Sequence, residues 1–314
     1  MAEAPRSLTS ERTVDVAGVG LNATDTLIPV KQFPERGSKI EIQSANVMLG
    51  GQVASAMVAC QQWGLRTRYV GKLGEDRLAE LHRAEFRRLG IETHLLMAPG
   101  CGSQQAFILV DAAGERTVLW KRDHRLTLLP EELDAEWIRN AGVLHLDGHD
   151  TAAAALAARY ARGAGVPVVA DLDDLYSGVE ELLPNIDYLI TSRDIPRRLT
   201  GNEDLRCSLP EVQRRYGARL AAATLGSDGV LAWDGQKFHY APAYRVQVVD
   251  TTGAGDSFAA GLAFGYLAYR DYVVACQYGN AMGAQRCTGA ELNVYLSREE
   301  TERQILATYG PRSA

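Results

Sequence analysis

The sequence is poor in cysteine, has no long apolar run and carries no excess of basic residues. The five cysteines are scattered and none forms a CxxC pair, which argues against a disulfide framework and predicts reduced thiols that serve packing. No apolar run approaches the roughly 20 residues that a membrane span requires, so we expect a soluble, cytoplasmic protein without a membrane partner. Acidic residues outnumber basic ones by 39 to 33, for a net charge of -6, and we expect no nucleic-acid partner.

Hydrophobic residues make up 46% of the 314 positions, which is enough for the core of one large α/β domain. We predict that this domain covers residues 13–310. The first dozen residues are polar, carry charges of both signs and lack the apolar core of a secretion signal. Residues 1–12 are therefore predicted to form a loose tail.

Short β-branched runs alternate with longer amphipathic stretches along most of the chain. The runs predicted as strands lie at 14–21, 67–74, 143–148, 166–173, 186–192 and 218–226. The stretches predicted as helices lie at 55–64, 78–90 and 151–163. Strands that alternate with helices form parallel sheets with crossover connections. The sequence therefore predicts a doubly wound αβα three-layer sandwich.

Two segments break this alternation. Residues 22–49 contain Pro29 and Pro34 and alternate apolar with polar side chains, while residues 101–122 resemble a hairpin that turns at Ala113-Gly114. We predict that both segments form strands outside the main sheet and pair into a small β-sheet lid. The exposed edge of such a sheet could pair with a second subunit, which would give a homodimer through the lid.

A strand, a glycine-rich turn and a helix are predicted one after another in the last quarter of the chain. Residues 244–249 resemble a strand that leads into the string DTTGAGDSF at 250–258, and Phe258 and Leu262 then recur at helical spacing. Glycines in the turn let backbone N–H groups reach an anion at the helix N-terminus, where the positive end of the helix dipole lies. This pattern predicts a phosphate site.

Asp256 falls in the first turn of that helix, beside the predicted phosphate site. We expect the helix N-terminus to favour its ionised form, which would accept a proton from a hydroxyl group that attacks a phosphoryl group. The alternative is that Thr252 or Asp256 only caps the helix. The complete string DTTGAGDSF favours the catalytic interpretation.

The same string resembles the C-terminal signature of the ribokinase (PfkB) family, which is approximately D-T-x-G-A-G-D-x-F. The resemblance implies an ATP-dependent sugar kinase with Asp256 as its catalytic base and with ATP and Mg²⁺ as cofactors. It also implies that the backbone of Gly253, Ala254 and Gly255 forms an anion hole for the transferred phosphoryl group. The family fold is a doubly wound αβα domain with a β-sheet lid, in agreement with the prediction made from the alternation of strands and helices.

Three further strings resemble family motifs. GVGLNATD at 18–25 is similar to the sugar-binding stretch, LGGQVASA at 49–56 to the GG-containing turn, and TLGSDGV at 224–230 to a nucleotide-side motif. By this resemblance, the residues expected to bind the sugar are Asn22, Asp25, Gly50, Gly51 and Gln52. The residues expected near ATP are Ser192, Thr224, Gly226, Gly229 and, close to the adenine, Asn280.

The resemblance also places two cations at the site. Asp250 and Thr252 would hold a monovalent cation such as K⁺. The N-x-x-E motif of the family, which is linked to the Mg-nucleotide, should fall near 192–195, where this chain has Ser-Arg-Asp-Ile. Asp194, or Asp171 at the end of a predicted strand, is therefore expected to serve the Mg²⁺.

The string HLDGHD at 145–150 places His145, Asp147 and His149 at alternating positions, a spacing that could suit zinc. The sequence has no second His or Cys cluster to complete a zinc shell. Because the strand that carries them should end at the carboxyl edge of the sheet, where open α/β proteins bind ligands, Asp147 and His149 are expected either to face the substrate or to be exposed to solvent.

Other functions are weighed against the kinase. GVGLNA could be a dinucleotide-binding turn, but such a turn opens a helix, whereas the prolines that follow favour extended chain. A nucleoside kinase of the same fold and a sensor that binds a sugar without phosphorylating it remain as alternatives. Asp256 argues against the sensor, because a pure sensor needs no base. Sugars, sugar phosphates, sugar acids and nucleosides all offer a suitable hydroxyl, and the sequence does not decide among them.

Overall fold

The computed structural model describes residues 12–112, 116–289 and 294–310. The strands are, in chain order, β1 (Val14–Val19), β2 (Ala23–Pro29), β3 (Asn46–Gly50), β4 (Thr67–Gly74), β5 (Glu92–Ala98), β6 (Gln105–Val110), β7 (Arg116–Lys121), β8 (Ala141–Leu146), β9 (Val168–Leu172), β10 (Tyr188–Ser192), β11 (Leu220–Thr224), β12 (Val230–Trp233) and β13 (Phe238–Ala241). The helices are α1 (Gln52–Gln62), α2 (Arg77–Leu89), α3 (Glu136–Arg139), α4 (Thr151–Gly163), α5 (Val179–Leu182), α6 (Ile195–Thr200), α7 (Leu205–Tyr216), α8 (Ala254–Tyr269), α9 (Tyr272–Arg286) and α10 (Arg298–Tyr309).

The main sheet has nine strands in the order β13-β12-β11-β10-β9-β8-β1-β4-β5. From β11 to β5 every neighbouring pair is parallel, whereas β12 and β13 are antiparallel additions at one edge. The order runs outward in both directions from β1 and β8, which is the arrangement of a doubly wound sheet. The predicted fold class is confirmed.

Helices cover both faces of this sheet, because both faces of its strands are apolar. Along β1, Val16 belongs to one buried cluster and Ala17 to another, and Val143 and Leu144 divide in the same way along β8. The first cluster includes residues of α1, α8, α9 and α10, and the second includes residues of α3, α4, α5 and α7. The molecule therefore has the three layers that the sequence predicts.

Helices α8 and α9 pack closely because glycines lie at their contact. A Cβ atom built on Gly261 would lie 2.4 Å from the Tyr278 carbonyl oxygen, and one built on Gly265 would lie 2.8 Å from the Ala275 Cα atom. Neither position leaves room for a side chain. This contact fixes α8, and with it the turn at the N-terminus of α8, against the rest of the domain.

A separate sheet of four strands, in the order β3-β2-β6-β7, forms the predicted lid. Strand β2 pairs antiparallel with β3 and parallel with β6, and β6 and β7 form an antiparallel hairpin. Strands outside the main sheet are thus confirmed for both 22–49 and 101–122. The turn predicted at Ala113-Gly114 lies outside the described residues.

The strand predicted at 244–249 is wrong. These residues form no strand, and Val248 and Val249 are each 57% exposed. The N–H of Val249 donates to the carbonyl of Cys287 instead of to a neighbouring strand. The β-branched composition is that of a strand, but β13 ends the sheet at Ala241, and no described strand lies beside the segment to pair with it.

Residues 1–11 of the predicted tail lie outside the described residues, while the Arg12 side chain donates to the carbonyl of Arg139 at 3.0 Å. That residues 13–310 act as one catalytic domain stays a prediction. None of the described helices combines the length and the apolar character that crossing a bilayer requires.

Candidate active site

Aspartates from the lid and from the carboxyl edge of the main sheet converge on one place. Asp25 comes from lid strand β2, Asp171 from β9 and Asp256 from the start of α8, while Asp147 follows β8 and Asp173 follows β9. The charges of the other four all act on Asp256 and raise its pKa. We call these five residues the aspartate cluster.

The glycine-rich turn lies beside this cluster and opens α8. Gly253 precedes the helix with a φ of 77°, in the left-handed region where a glycine is favoured. The Ala254 N–H donates to the Thr251 carbonyl at 3.2 Å, so the turn itself uses this amide. Within the described chain, the N–H groups of Gly253 and Gly255 have no acceptor. These two amides are the donors that the turn offers to an anion, and a role for the Ala254 amide stays a prediction.

Asp256 is partly accessible in the first turn of α8. Burial raises the pKa of this carboxyl well above its ordinary value, and the negative charges of Asp171 and Asp25 raise it further. The surroundings of Asp256 thus oppose the ionised form that the helix N-terminus was expected to favour. The dipole stabilises a charge by about 1 kcal/mol, which does not offset desolvation beside other carboxylates. A positive charge brought into the cluster would favour the ionised form again.

Asp25 and the GG-containing turn lie against each other. A Cβ atom built on Gly50 would lie 2.1 Å from Asp25 Oδ2, and one built on Gly51 would lie 2.4 Å from the Asn22 Cα atom. Burial and the charge of Asp250 raise the pKa of Asp25 to about 6. The structure thus brings together the sugar-binding residues predicted from two separate strings.

Two predicted sugar-binding residues, Asn22 and Gln52, differ in whether their side chains still have an unpaired hydrogen-bonding group. The Asn22 side-chain amide donates to the Tyr69 hydroxyl at 2.8 Å and to the Lys72 carbonyl at 3.0 Å, so it holds the chain at the end of β1 in place. The Gln52 Oε1 atom is buried and has no hydrogen-bond partner in the described chain. A buried acceptor without a donor is costly, which suits a site where a ligand hydroxyl would donate to it.

Asp147 and His149 are not exposed to solvent. Asp147 is 1% exposed, accepts from the Leu21 N–H and the His149 N–H, and has its pKa raised to about 6 by burial. It therefore supports the turn after β1. His149 is half-buried, hydrogen-bonds to Arg122 and stacks on Tyr176 with ring centroids 4.6 Å apart. Contact of either residue with a substrate stays a prediction.

His145 of the same string lies inside the domain. It is 2% exposed, burial lowers its pKa to about 4, and neither ring nitrogen has a partner in the described chain. Over the described ranges, no three His, Cys, Asp or Glu side chains are arranged to hold a metal ion by themselves.

The residues predicted on the nucleotide side lie at one end of the sheet. Thr224 ends β11 and donates to the Thr191 carbonyl at 3.2 Å, and Gly226 and Gly229 adopt φ values of 62° and 97° in the turn to β12. A Cβ atom on Gly229 would lie 2.1 Å from the Ala241 carbonyl oxygen. The Asn280 amide donates to that same carbonyl at 2.8 Å, which joins α9 to β13. Contact of these residues with ATP stays a prediction.

The two residues predicted for Mg²⁺ differ in their surroundings. Asp194 is exposed, accepts from the Ser192 hydroxyl at 3.0 Å and lies 3.5 Å from Arg198. Asp171 is 8% exposed, and burial together with the charge of Asp173 raises its pKa to about 7. Mg²⁺ prefers carboxylate oxygens, water and phosphate, so the aspartate cluster fits this ion and Asp171 fits it better than Asp194.

Sequence reasoning missed Arg286, the last residue of α9. Its guanidinium is 1% exposed and lies 3.4 Å from Asp250 Oδ2. Asp250 also accepts from the Thr252 N–H at 2.9 Å, whereas the Thr252 hydroxyl is buried without a partner in the described residues. The one available signal was a single charged residue in the otherwise uncharged stretch NAMGAQRCTG.

Comparison with known proteins covers nearly the whole chain. Residues 15–295 match the sequence profile of pfkB family carbohydrate kinases. The ATP-dependent ribose-1-phosphate kinase of Halopiger xanaduensis is 30% identical over 277 residues, which cover 86% of this chain and 91% of the relative. The acarbose 7(IV)-phosphotransferase of an Actinoplanes species is 30% identical over 289 residues, which cover 89% and 93% of the two chains.

Solved structures share the fold. Arabidopsis thaliana ribokinase complexed with ribose and ATP superposes with a TM-score of 0.79 at 22% identity, and the match covers 93% of this chain and 98% of that one. The superposition includes most of the molecule and thus agrees with the layers and the separate sheet described above.

Proposed function

The chain belongs to the pfkB family of carbohydrate kinases, and we propose that it moves the γ-phosphoryl group of ATP to a hydroxyl, most simply a primary one, of a sugar or sugar derivative. The observation that carries this proposal is the position of Asp256. The carboxylate lies in the first turn of α8, next to the free amides of Gly253 and Gly255 and among the carboxylates that lie between the lid and the sheet.

In the proposed reaction the acceptor lies beneath the lid, close to Asp25 and the Gly50-Gly51 turn. Asp256 removes the proton of the acceptor hydroxyl as its oxygen attacks the γ-phosphorus atom. The bond between the γ-phosphorus and the β,γ-bridging oxygen breaks, and ADP leaves. The amides of Gly253 and Gly255 donate to the transferring phosphoryl group, whose negative charge must be stabilised as it passes between the two oxygens.

The donor nucleotide would lie along the end of the sheet that carries Thr224, Gly226 and Gly229. Asp171 is the residue that would face Mg²⁺ bound with the nucleotide, and the ion would supply positive charge to the phosphates. Burial and neighbouring aspartates raise the pKa values of Asp171 and Asp256, and a cation bound beside these carboxyl groups would stabilise their charges, which supports this assignment. K⁺ is not part of this proposal.

The first test replaces Asp256 with Asn. We expect kcat to fall by about two to four orders of magnitude, the usual contribution of a positioned general base, while ATP still binds. ADP release in a coupled assay measures the rate, and calorimetry measures ATP binding. A kcat close to that of the unmodified enzyme would refute the role of Asp256.

Asp271→Asn is the matched control. Asp271 caps the N-terminus of α9 through the N–H groups of Val273 and Val274, and Asn is an equally good cap. We expect this variant to keep full activity, so that a loss seen only with Asp256→Asn belongs to the site.

The acceptor is found by screening sugars, sugar phosphates, sugar acids and nucleosides for ADP production. Two relatives at 30% identity are named for ribose-1-phosphate and for acarbose, which supports starting with sugars and sugar derivatives. Turnover with nucleosides alone would make the chain a nucleoside kinase. Thermal stabilisation by a sugar without any turnover would make it a sensor.

We also propose that two copies of the chain associate through the lid. Val47, Phe107 and Leu119 occupy one face of the lid, because Thr26 pairs with both Val47 and Phe107, and Phe107 pairs with Leu119. They are 52%, 41% and 57% exposed. An exposed apolar face on a sheet with open edges supports association with a second copy.

A further inference from the structure

A buried arginine lies behind the glycine-rich turn. Arg286 is 1% exposed at the end of α9, and its Nη2 atom lies 3.4 Å from Asp250 Oδ2. Its Nη1 atom donates to the Gly289 carbonyl at 2.6 Å. A Cβ atom built on Gly253 would lie 3.3 Å from the Arg286 Nε atom, so the guanidinium lies against the turn itself.

The guanidinium binds the two parts of the chain that meet at the turn. Asp250 begins the string DTTGAGDSF, and its other carboxylate oxygen accepts from the Thr252 N–H at 2.9 Å. Gly289 lies just beyond α9. Arg286 therefore ties the segment after α9 to the start of the turn, and the turn carries the amides assigned to the anion.

This arrangement does not fit a monovalent cation held by Asp250 and Thr252. A K⁺ ion on Asp250 would have to share the carboxylate with a guanidinium that is already in a buried ion pair. Two adjacent positive charges in a desolvated place repel each other strongly. The Asp250 carboxylate thus already has a positive partner, supplied by the chain, and a K⁺ ion held through backbone oxygens of Asp250 and Thr252 stays a prediction.

The Nε–H group of Arg286 is buried and has no acceptor in the described chain. A buried charged donor without a partner is costly, so packing alone does not account for an arginine here. Burial and Asp250 raise the pKa of Asp25, and the charge of Arg286 opposes this rise, so the guanidinium also acts on the acceptor side of the site.

We propose that Arg286 is a built-in cation that positions the 250–253 turn, so that phosphoryl transfer by this chain needs no monovalent metal ion. The proposal rests on the proposed kinase function. Arg286 is a positioning residue: it acts through Asp250 and the backbone of the turn, and it touches neither of the reacting groups directly.

The first test uses the unmodified enzyme at constant ionic strength in potassium, sodium or choline chloride. We expect kcat and the thermal stabilisation by MgATP to agree within about twofold among the three salts, because the turn already has its positive charge. An increase of about tenfold or more in kcat with K⁺ over choline would overturn the proposal.

The second test replaces Arg286 with Met, which keeps the length of the side chain and removes its charge, and with Lys. In choline chloride we expect Arg286→Met to lose about 100-fold in kcat, the scale of a misplaced catalytic group, with a smaller change in the KM for ATP. Potassium or guanidinium ions should restore part of this loss. Arg286→Lys keeps the charge but loses the planar set of donors, so its kcat should lie between those of the unmodified enzyme and Arg286→Met.

Arg68→Met is the matched control. Arg68 is 5% exposed and binds Glu92, far along the chain from the turn, so its loss should lower stability without creating a response to cations. A cation response in both variants, or in neither, would contradict the role of Arg286. The melting temperature of Arg286→Met with K⁺ or choline and with MgATP reports the same effect without turnover. If no acceptor is phosphorylated at all, the kinase proposal fails while this measurement still tests the cation.

Discussion

At the scale of the residue, the site is a group of acids that disfavour one another's charge. Asp171 and Asp256 both have raised pKa values, for which burial is the first cause and neighbouring aspartates the second. The cluster is thus less stable when ionised than when partly protonated. Binding of Mg²⁺ with ATP would offset the cost of ionising these aspartates. The same negative charges that lower the stability of the free protein would therefore favour binding of the cation.

Replacing Asp171 with Asn should stabilise the free protein at alkaline pH. The pKa of Asp171 is raised to about 7 in the fold from 3.8, so its ionisation costs stability as pH rises from about 4 to about 7. At pH 8 we expect the variant to be more stable by ~4 kcal/mol, and the difference to vanish towards pH 4. Urea unfolding at several pH values, without nucleotide, measures it.

Asp174→Asn serves as the control in that experiment. Its hydrogen bond with Arg198 lowers the pKa of Asp174, so the ionised form is favoured in the fold and the stability it contributes is lost as pH falls. The control should therefore gain no stability at pH 8. If the free energy of unfolding of Asp171→Asn changed with pH in parallel with that of the unmodified protein, the raised pKa of Asp171 would be contradicted.

The residues of the site differ in how far the sequence could predict them. Asp256 and the turn at 253–255 lie within one string, and local chemistry suffices to predict a helix start with free amides. The raised pKa of Asp256 and the ion pair of Arg286 with Asp250 depend on which strands and helices meet in space. No spacing rule supplies that information, so these features become visible only in the fold.

At the scale of the element, the lid carries a face directed at the site. Asp25 pairs with Ala106, and Ala106 pairs with Trp120, so these residues share one face of the lid. Trp120 is 64% exposed. A large indole on the face that carries Asp25 is suited to cover the apolar side of a bound sugar.

Trp120→Ala should raise the KM for the acceptor by about tenfold and leave the KM for ATP within about twofold, because the acceptor, and not ATP, is proposed to lie beneath the lid. Steady-state kinetics with each substrate varied in turn measures both. Leu306→Ala, at an exposed apolar residue of α10, is the control and should change neither value. An equal change in the KM values for both substrates would contradict a place for Trp120 in the acceptor site.

Elements were predicted well where apolar periodicity and burial agree. The runs at 14–21 and 218–226 became β1 and β11 because both of their faces are covered. The run at 244–249 has the same β-branched composition, yet it is exposed and forms no strand. A strand requires a neighbour to accept its hydrogen bonds, and the sequence of the run alone does not contain that neighbour.

At the scale of the whole molecule, the alternation of strands and helices was enough to predict a doubly wound sheet with two covered faces. The alternation could not predict the antiparallel β12 and β13 or the order of the nine strands. These depend on long-range pairing, which is selected by the packing of helices on both faces.

Association through the lid predicts that the protein elutes as a dimer. Leu119→Glu places a charge on the exposed apolar face and should convert the dimer to a monomer, as measured by size-exclusion chromatography with light scattering. Leu306→Glu, at a 44% exposed leucine of α10, is the control and should remain dimeric. A monomeric unmodified protein would contradict the proposed interface.

The lid strands leave the main sheet between β1 and α1 and again between β5 and β8, whereas the glycine turn belongs to a later part of the chain. The lid surface proposed to select an acceptor and the turn proposed to bind the phosphate are thus encoded in different stretches of sequence. Insertions or exchanges within the two lid stretches could alter what is phosphorylated and leave the donor chemistry untouched. New specificities in this architecture can therefore evolve, or be engineered, by grafting those two stretches.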